Sequence, residues 1–239
     1  MYIINCTSEE FRNKGYDTVV IPVGSVEAHG IHLPLGTDIF SPRKFCEIID
    51  ESIGDTLWIA PEIPYGNCYE LSIYPGTVAM PSEAMAEYIY YIGKSFYNNG
   101  IKNIIFLNGH GGNITALNLA AEKLVKIGAV VSTINWWMDF SKEILTITEG
   151  QGHGGEDETS AILSYDEGMV HMDKACCNRN IQLYPVKFQD RGKTIFENAI
   201  TGDATLATKE KGDKIFNVVA ERIIGRIKLI ESGIYFKKN

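Results

Sequence analysis

Apolar residues along this chain switch between two periods. Short, nearly uninterrupted apolar runs rich in β-branched residues fall at 17–23, 56–60, 103–108 and 129–134, and read as strands covered on both faces. Helical spacing separates them. Ser41 is placed to cap a helix with Pro42 in its first turn, and Gly54 ends it. A second helix opens at Ser82 and closes at Gly100; a third runs from about Asn113 to Gly128, with Ile114, Leu117, Ala121 and Leu124 on one face. Residues 156–165 and 213–231 complete the set, the latter carrying an Ile215, Val219, Ile223, Ile227 and Ile230 stripe. Strand–helix alternation predicts parallel strands joined by right-handed crossovers, in a single three-layer α/β/α domain over residues 1–239 with a mainly parallel sheet.

Two stretches interrupt this rhythm. Residues 61–80 hold Pro61, Pro64, Gly66, Pro75 and Gly76, and predict a long ordered loop of the kind that carries function. Residues 148–155 are too rich in glycine for regular structure. The span 176–210 is the least legible, and is expected to cover a site or to meet a neighbouring subunit.

Composition narrows the function classes. A formal charge of −8 with no long basic stretch argues against nucleic acid and acidic membranes as partners. No apolar run approaches the ~20 residues of a membrane helix. Met1-Tyr-Ile-Ile-Asn5 lacks a leader pattern, and the 5 cysteines follow no disulfide or zinc-ribbon spacing, so a cytoplasmic protein with reduced thiols is expected.

The ionisable residues gather where the chain is richest in glycine. Glu27-Ala-His29-Gly-Ile-His32 leads through Pro34 and Gly36 to Asp38; His110 sits within Asn108-Gly-His-Gly-Gly-Asn113; and His153 begins His153-Gly-Gly-Glu156-Asp157-Glu158. The first two follow strands directly, which puts both at the carboxyl edge of the sheet, where open α/β folds bind ligands. Glu27 and His29, two residues apart, share a side in extended chain. Two carboxylates and imidazoles suit a zinc, manganese or iron ion. The competing reading makes Glu27 and Asp38 helix caps and His29 a satisfied loop residue. For His110 it is a plain Gly-rich phosphate loop. The acids at 156–158 also suit a helix dipole, which accounts for Asp157 and at least one glutamate. His153, in a loop, reads as a general acid or base. His32 reads as support for the centre, and His171 as a surface or packing residue. One ring of Trp136 and Trp137 is expected in the core and the other at the site.

At these motifs, together with Tyr74-Pro-Gly-Thr77, the sequence resembles the creatininase (creatinine amidohydrolase) family over about residues 20–165. The resemblance implies a three-layer fold, often hexameric, with two divalent ions per subunit. By position, Glu27 and His110 would hold one ion and His29 the other, with Asp38 between them. His153 would match the catalytic histidine, and Trp136 or Trp137 the tryptophan closing over substrate. Family members active on creatinine carry a tyrosine and a ligating glutamate where this chain has Gly111 and Gly112. Glu158, Glu156 or water is then expected to complete the second ion. The Gly-Gly-Asn form is closer to branches that hydrolyse formamides or trim a cofactor precursor peptide.

These readings predict hydrolysis of a small-molecule amide, cyclic or formyl, by metal-activated water. Glu27, His29, Asp38, His110 and Glu158 are the candidate ligands, and His153 and Glu156 the candidate catalytic residues. Tyr74, Gly111, Gly112, Trp136 and Trp137 are the candidate substrate contacts. A peptidase trimming a short precursor is the second expectation. A non-catalytic α/β module that binds a nucleotide or sugar phosphate is the third.

Overall fold

The computed structural model describes residues 1–179, 186 and 188–234. Its helices are α1 (Ser8–Lys14), α2 (Thr37–Ile53), α3 (Ser82–Asn98), α4 (Ile114–Lys126), α5 (Trp136–Asp139), α6 (Ser141–Ile144), α7 (Glu156–Tyr165), α8 (Arg191–Ile195) and α9 (Lys209–Glu231). The strands are β1 (Thr18–Val23), β2 (Trp58–Ile59), β3 (Asn103–Asn108), β4 (Val130–Asn135), β5 (Cys177–Asn178) and β6 (Gly202–Asp203). The first four form a parallel sheet in the order β2-β1-β3-β4. The last two pair antiparallel as a separate ribbon.

The twofold alternation of strand side chains divides the core into two layers. Val20, Ile105, Leu107 and Ile134 face α2 and α9, packing on Phe45, Ile49, Ile215, Val219 and Ile223. Val19, Ile21, Ile104 and Phe106 face α3 and α4, packing on Met85, Ile89, Leu117 and Leu124. The chain steps from β1 to β2 behind α2, then returns past β1 to β3 by way of α3 on the opposite face. Right-handed crossovers in opposite directions require opposite faces, so this reversal makes β1 and β3 the switch point of the sheet. Their carboxyl ends diverge there, and the candidate residues collect in the gap.

Several boundaries differ from the sequence expectation for local reasons. Helix α2 begins at Thr37 after Gly36, not at Ser41, so Pro42 lies inside the helix. Proline has the helical φ, but it lacks the N–H that would have reached the Asp38 carbonyl and its ring crowds that oxygen. This early start places Asp38 in the first turn, beneath the ends of β1 and β3. A Cβ at Gly24 or Gly109 would come within 2.7 or 2.1 Å of the Asp38 carbonyl oxygen, so both glycines are required by close approach. Helix α3 is capped by Pro81, with Ser82 already helical. Helix α9 starts at Lys209, where the Thr208 hydroxyl accepts from the Lys211 N–H. Helix α1, held by a reciprocal Thr7–Glu10 capping box, went unread because it is short and buries none of its residues. Among the described residues, no helix is long and apolar enough to cross a membrane.

Helices α7 and α9 pack at backbone contact through Gly212, where an added Cβ would lie 1.9 Å from the Ser160 carbonyl oxygen. The variant G212A gains ~1 kcal/mol of intrinsic helix propensity. It forces the helices apart at a cost of about 2–4 kcal/mol. A net loss of about 1–3 kcal/mol in urea unfolding is expected; unchanged or greater stability would contradict this packing.

Candidate metal centre

The loops leaving β1 and β3, the first turns of α2 and α7, and the His153 loop meet around a cavity of about 810 Å³. Glu27 and His29 are fully buried, and Asp38, His110 and Glu158 are no more than 9% exposed. Five ionisable side chains removed from water need partners, and their geometry shows what kind.

Each imidazole has one nitrogen fixed by a backbone carbonyl. His29 Nδ1 lies 3.1 Å from the Glu27 carbonyl oxygen, His110 Nε2 2.8 Å from that of Asn67, and His153 Nε2 2.8 Å from that of Ala28. A carbonyl only accepts, so those nitrogens carry the protons and the opposite nitrogens face inward. His29 Nε2 stands 3.0 Å from Asp38 Oδ1, 3.6 Å from Glu158 Oε2 and 3.9 Å from Glu27 Oε1. His110 Nδ1 stands 3.1 Å from Glu27 Oε1 and 3.0 Å from Asp38 Oδ2. His153 Nδ1 is 3.5 Å from Glu27 Oε1. Yet Glu27 Oε1 and Asp38 Oδ2 are buried without a hydrogen bond, because these contacts lack hydrogen-bond alignment.

Buried acceptors that converge in this way require positive charge among them. The demand is visible in the imidazoles. Burial alone would lower His29, but Asp38, Glu158 and Glu27 push it up to about 10. Burial is likewise overruled at His110, chiefly by Glu27 and Asp38. His153 is drawn down to about 4 by burial and by His29. Among the described residues, Glu27–His29–His153, Glu27–Cys68–His110 and His29–Asp38–Glu158 each bring ligand atoms within 4.8 Å of one another. Nitrogen and carboxylate donors with orphaned lone pairs fit zinc, manganese or iron.

Gly112 shows how this centre differs from one with a carboxylate at that position. A Cβ on Gly112 would lie 1.9 Å from the Asn67 carbonyl oxygen and 2.5 Å from His110 Nε2. The carbonyl that orients His110 therefore occupies the space a side chain would need. Asn67 is itself held by Asn113, whose side-chain oxygen accepts its N–H at 3.1 Å. On the other side, the Ser25 hydroxyl reaches Glu27 Oε2 at 3.2 Å and Cys68 Sγ at 2.7 Å.

The three acids of α7 fold the preceding loop onto the helix. Glu156 accepts from the N–H groups of Glu149 and Gly150 at 2.8 and 3.1 Å, and pairs with Lys211 of α9 at 2.6 Å. Asp157 accepts from Gly152 N–H at 3.0 Å and Gln151 Nε2 at 3.2 Å. Glu158 accepts from Gly154 N–H at 2.6 Å while facing His29, and burial pushes it up to about 8.

Glu27, His29, Asp38, His110, His153 and Glu158 are thus brought together. Gly111, Gly112 and Trp137 line the cavity. Three expected site residues are placed elsewhere. Glu156, an expected catalytic residue, is engaged by Lys211 and the loop backbone and is not among the residues that line the cavity. Trp136 packs in the core against Phe45 at 5.7 Å, because the ring that continues the inward face of β4 belongs to the core layer. Tyr74 donates to the Phe196 carbonyl oxygen, so it shapes the wall from behind. Conversely, Asp157, to which the sequence assigns a helix-dipole role, lines the cavity. His32 bonds Thr159 Oγ1 at 2.9 Å, behind the centre. Asn67, Cys68, Gln151 and Phe196 were missed as cavity residues. The proline–glycine punctuation of 61–80 signalled the first two as a region; Phe196 lies in the illegible span, part of which (180–185 and 187) is outside the described residues.

A family model for creatininase, described as creatinine amidohydrolase, matches residues 5–227. The mycofactocin precursor peptide peptidase of Mycolicibacterium smegmatis is 31% identical over 218 residues, covering 88% of this chain and 84% of that protein. The 3-dehydro-scyllo-inosose hydrolase of Thermotoga maritima is 28% identical over 243 residues, 88% of this chain and 77% of its own. A solved structure named "Creatininase Mn" superposes with a TM-score of 0.83 at 22% identity, over 95% of this chain and 97% of its own, and shows the shared fold.

Two outcomes follow from the side-chain geometry. The variant G112A displaces the Asn67 carbonyl from His110, and is expected to weaken zinc affinity about 10–100-fold in chelator competition. Unchanged affinity would show that this carbonyl does not hold the imidazole. K211M leaves the Glu156 carboxylate buried beside apolar atoms, and should cost about 2–4 kcal/mol in urea unfolding. If K211M is as stable as the parent, the pair is not structural.

Proposed function

The chain belongs to the creatininase family, and on that premise we propose that it is a metal-dependent amidohydrolase cleaving a non-peptide C–N bond, in a cyclic amide or a formamide, at a centre of two divalent ions. The observation that carries this reading is the convergence of His110 Nδ1 with two orphaned carboxylate oxygens, Glu27 Oε1 and Asp38 Oδ2, at 3.1 and 3.0 Å. Glu27 and His110 would hold one ion, His29 and Glu158 the other, and Asp38, with one oxygen toward each imidazole, would serve both. Glu158 supplies the carboxylate that Gly112 cannot. The chemistry that divalent ions held by these residues would supply is Lewis acidity toward an amide carbonyl and a lowered pKa for water.

The chain's own groups do the remaining work. The Ala28 carbonyl fixes the tautomer of His153, so its Nδ1 is the atom that exchanges a proton with the leaving nitrogen. Asn67 and Glu27 carbonyls hold His110 and His29 in the orientation of ligands. Trp137 and Phe196 present apolar faces to the cavity and limit water around the reacting amide.

A second reading is trimming of a short peptide, for which a cavity of about 810 Å³ also leaves room. It also agrees with the activity named for the mycobacterial relative. Hydrolysis of an amide bond at the same centre is common to both.

Prepared anaerobically and offered zinc, manganese or iron, the protein is expected to take up about two ions per chain; clearly less than one sinks the reading. E27Q and D38N should lower that uptake. H153A should keep it while slowing turnover by roughly 10²–10⁴. Screening the loaded enzyme against formamides, lactams, creatinine and short peptides decides between the two readings.

A further inference from the structure

The span that the sequence leaves illegible contains a turn built with unusual backbone. Asn198 and Ala199 both have φ of 55°, a left-handed conformation that costs a residue bearing a Cβ. Such a conformation persists only where the surroundings over-determine it, and here they do. The Asn178 side-chain amide donates to the carbonyls of Ile195 and Ile200, at 3.0 and 2.7 Å, and pinches the turn at its base. Tyr74 donates to the Phe196 carbonyl from one side. Gly30 N–H donates to the Ala199 carbonyl at 2.8 Å from the other, anchoring the turn to the segment that carries His29.

What the turn grips is His153. The His153 N–H donates to Thr201 Oγ1 at 2.9 Å, and the Thr201 N–H donates to the His153 carbonyl at 2.8 Å. The imidazole and the Phe196 ring meet at 81° with centroids 5.3 Å apart, and the His29 ring lies at a centroid distance of 4.1 Å, tilted by 30°. Gly152 admits this contact, since a Cβ there would fall 2.3 Å from the Thr201 carbonyl oxygen. The Ala28 carbonyl holds one ring nitrogen of His153, and Asp157 and Glu158 hold the backbone of Gly152 and Gly154 on either side; the turn supplies the remaining restraints, on the His153 backbone and on the edge of its pocket.

We infer that residues 195–201 form a clamp that positions His153, with Thr201 fixing its backbone and Phe196 confining its ring. Both are positioning residues acting through the imidazole. The inference rests on the role given to His153 above, but the clamp itself can be read without turnover.

The probe is diethyl pyrocarbonate, which acylates imidazole nitrogens that are free to present a lone pair. In the zinc-loaded protein, acylation of His153 is measured by peptide mass spectrometry relative to exposed His171. T201V and F196A are expected to raise that ratio by at least roughly fivefold, the effect of losing one ordinary restraint. T201S, which keeps the hydroxyl, should match the parent, and zinc content and His171 reactivity should not change. On the amide that the screen identifies, T201V, at a position that does not line the cavity, should lower kcat by about tenfold or more with KM nearly unchanged. A His153 ratio within about twofold of the parent in both T201V and F196A overturns the clamp. Should T201V not fold, F196A against F196L, at the cavity surface, decides alone. If instead the ratio rises but H153A turns over like the parent, the clamp stands and the catalytic role of His153 falls.

Discussion

Glu27 is a fully buried carboxylate with one oxygen turned toward three imidazoles, and much of the surrounding architecture serves to hold it there. Its other oxygen is tied to Ser25, and its N–H and carbonyl are engaged by Leu35 and His29. A buried charge of this kind is tolerable only where partners are fixed before it is desolvated. The rigid ends of β1 and β3 supply that fixity. From the same constraint come the early start of α2, which delivers Asp38, and the close approach of Gly24 and Gly109 to its carbonyl.

Orientation is supplied mainly by the backbone. The Glu27, Ala28 and Asn67 carbonyls each take one imidazole proton, so the inward-facing nitrogens are set before any ligand arrives. Glycine makes this possible at Gly112, where the carbonyl of a distant loop stands in the place of a side chain. The consecutive acids Glu156, Asp157 and Glu158 divide the loop before α7 among themselves; Asp157 and Glu158 line the cavity, and of the three Glu158 is the one that meets His29. Adjacent, chemically similar residues therefore have different tasks, set by where each side chain leaves the helix.

Much of the site was legible because strand-to-loop motifs report position. A β-branched run followed by a polar, glycine-containing segment places its side chains at the carboxyl edge of a parallel sheet, which located Glu27, His29 and His110 together. The sequence leaves the partition of Trp136 and Trp137 as an either-or, and the fold settles it: Trp136, at the start of α5 directly after β4, continues the inward side of Ile134 into the core. The cavity wall was less legible. Asn67 acts through its backbone carbonyl, to which every residue type contributes alike, so no side-chain pattern could announce it. Phe196 and Thr201 reach His153 across more than 40 residues of chain, through a turn that ordinary propensities disfavour.

Local pattern by itself determined the alternation of strands and helices, the parallel sheet, and the segments carrying the ionisable groups. These follow from hydrophobic periodicity and from turn residues, both written within a few positions of where they act. Tertiary structure alone decided which of the clustered acids meet the imidazoles, which nitrogen of each histidine faces inward, and what fills the space beside Gly112. Those outcomes depend on close approach between segments distant in sequence. Sub-ångström differences in such contacts choose between a hydrogen bond, an orphaned lone pair and a clash.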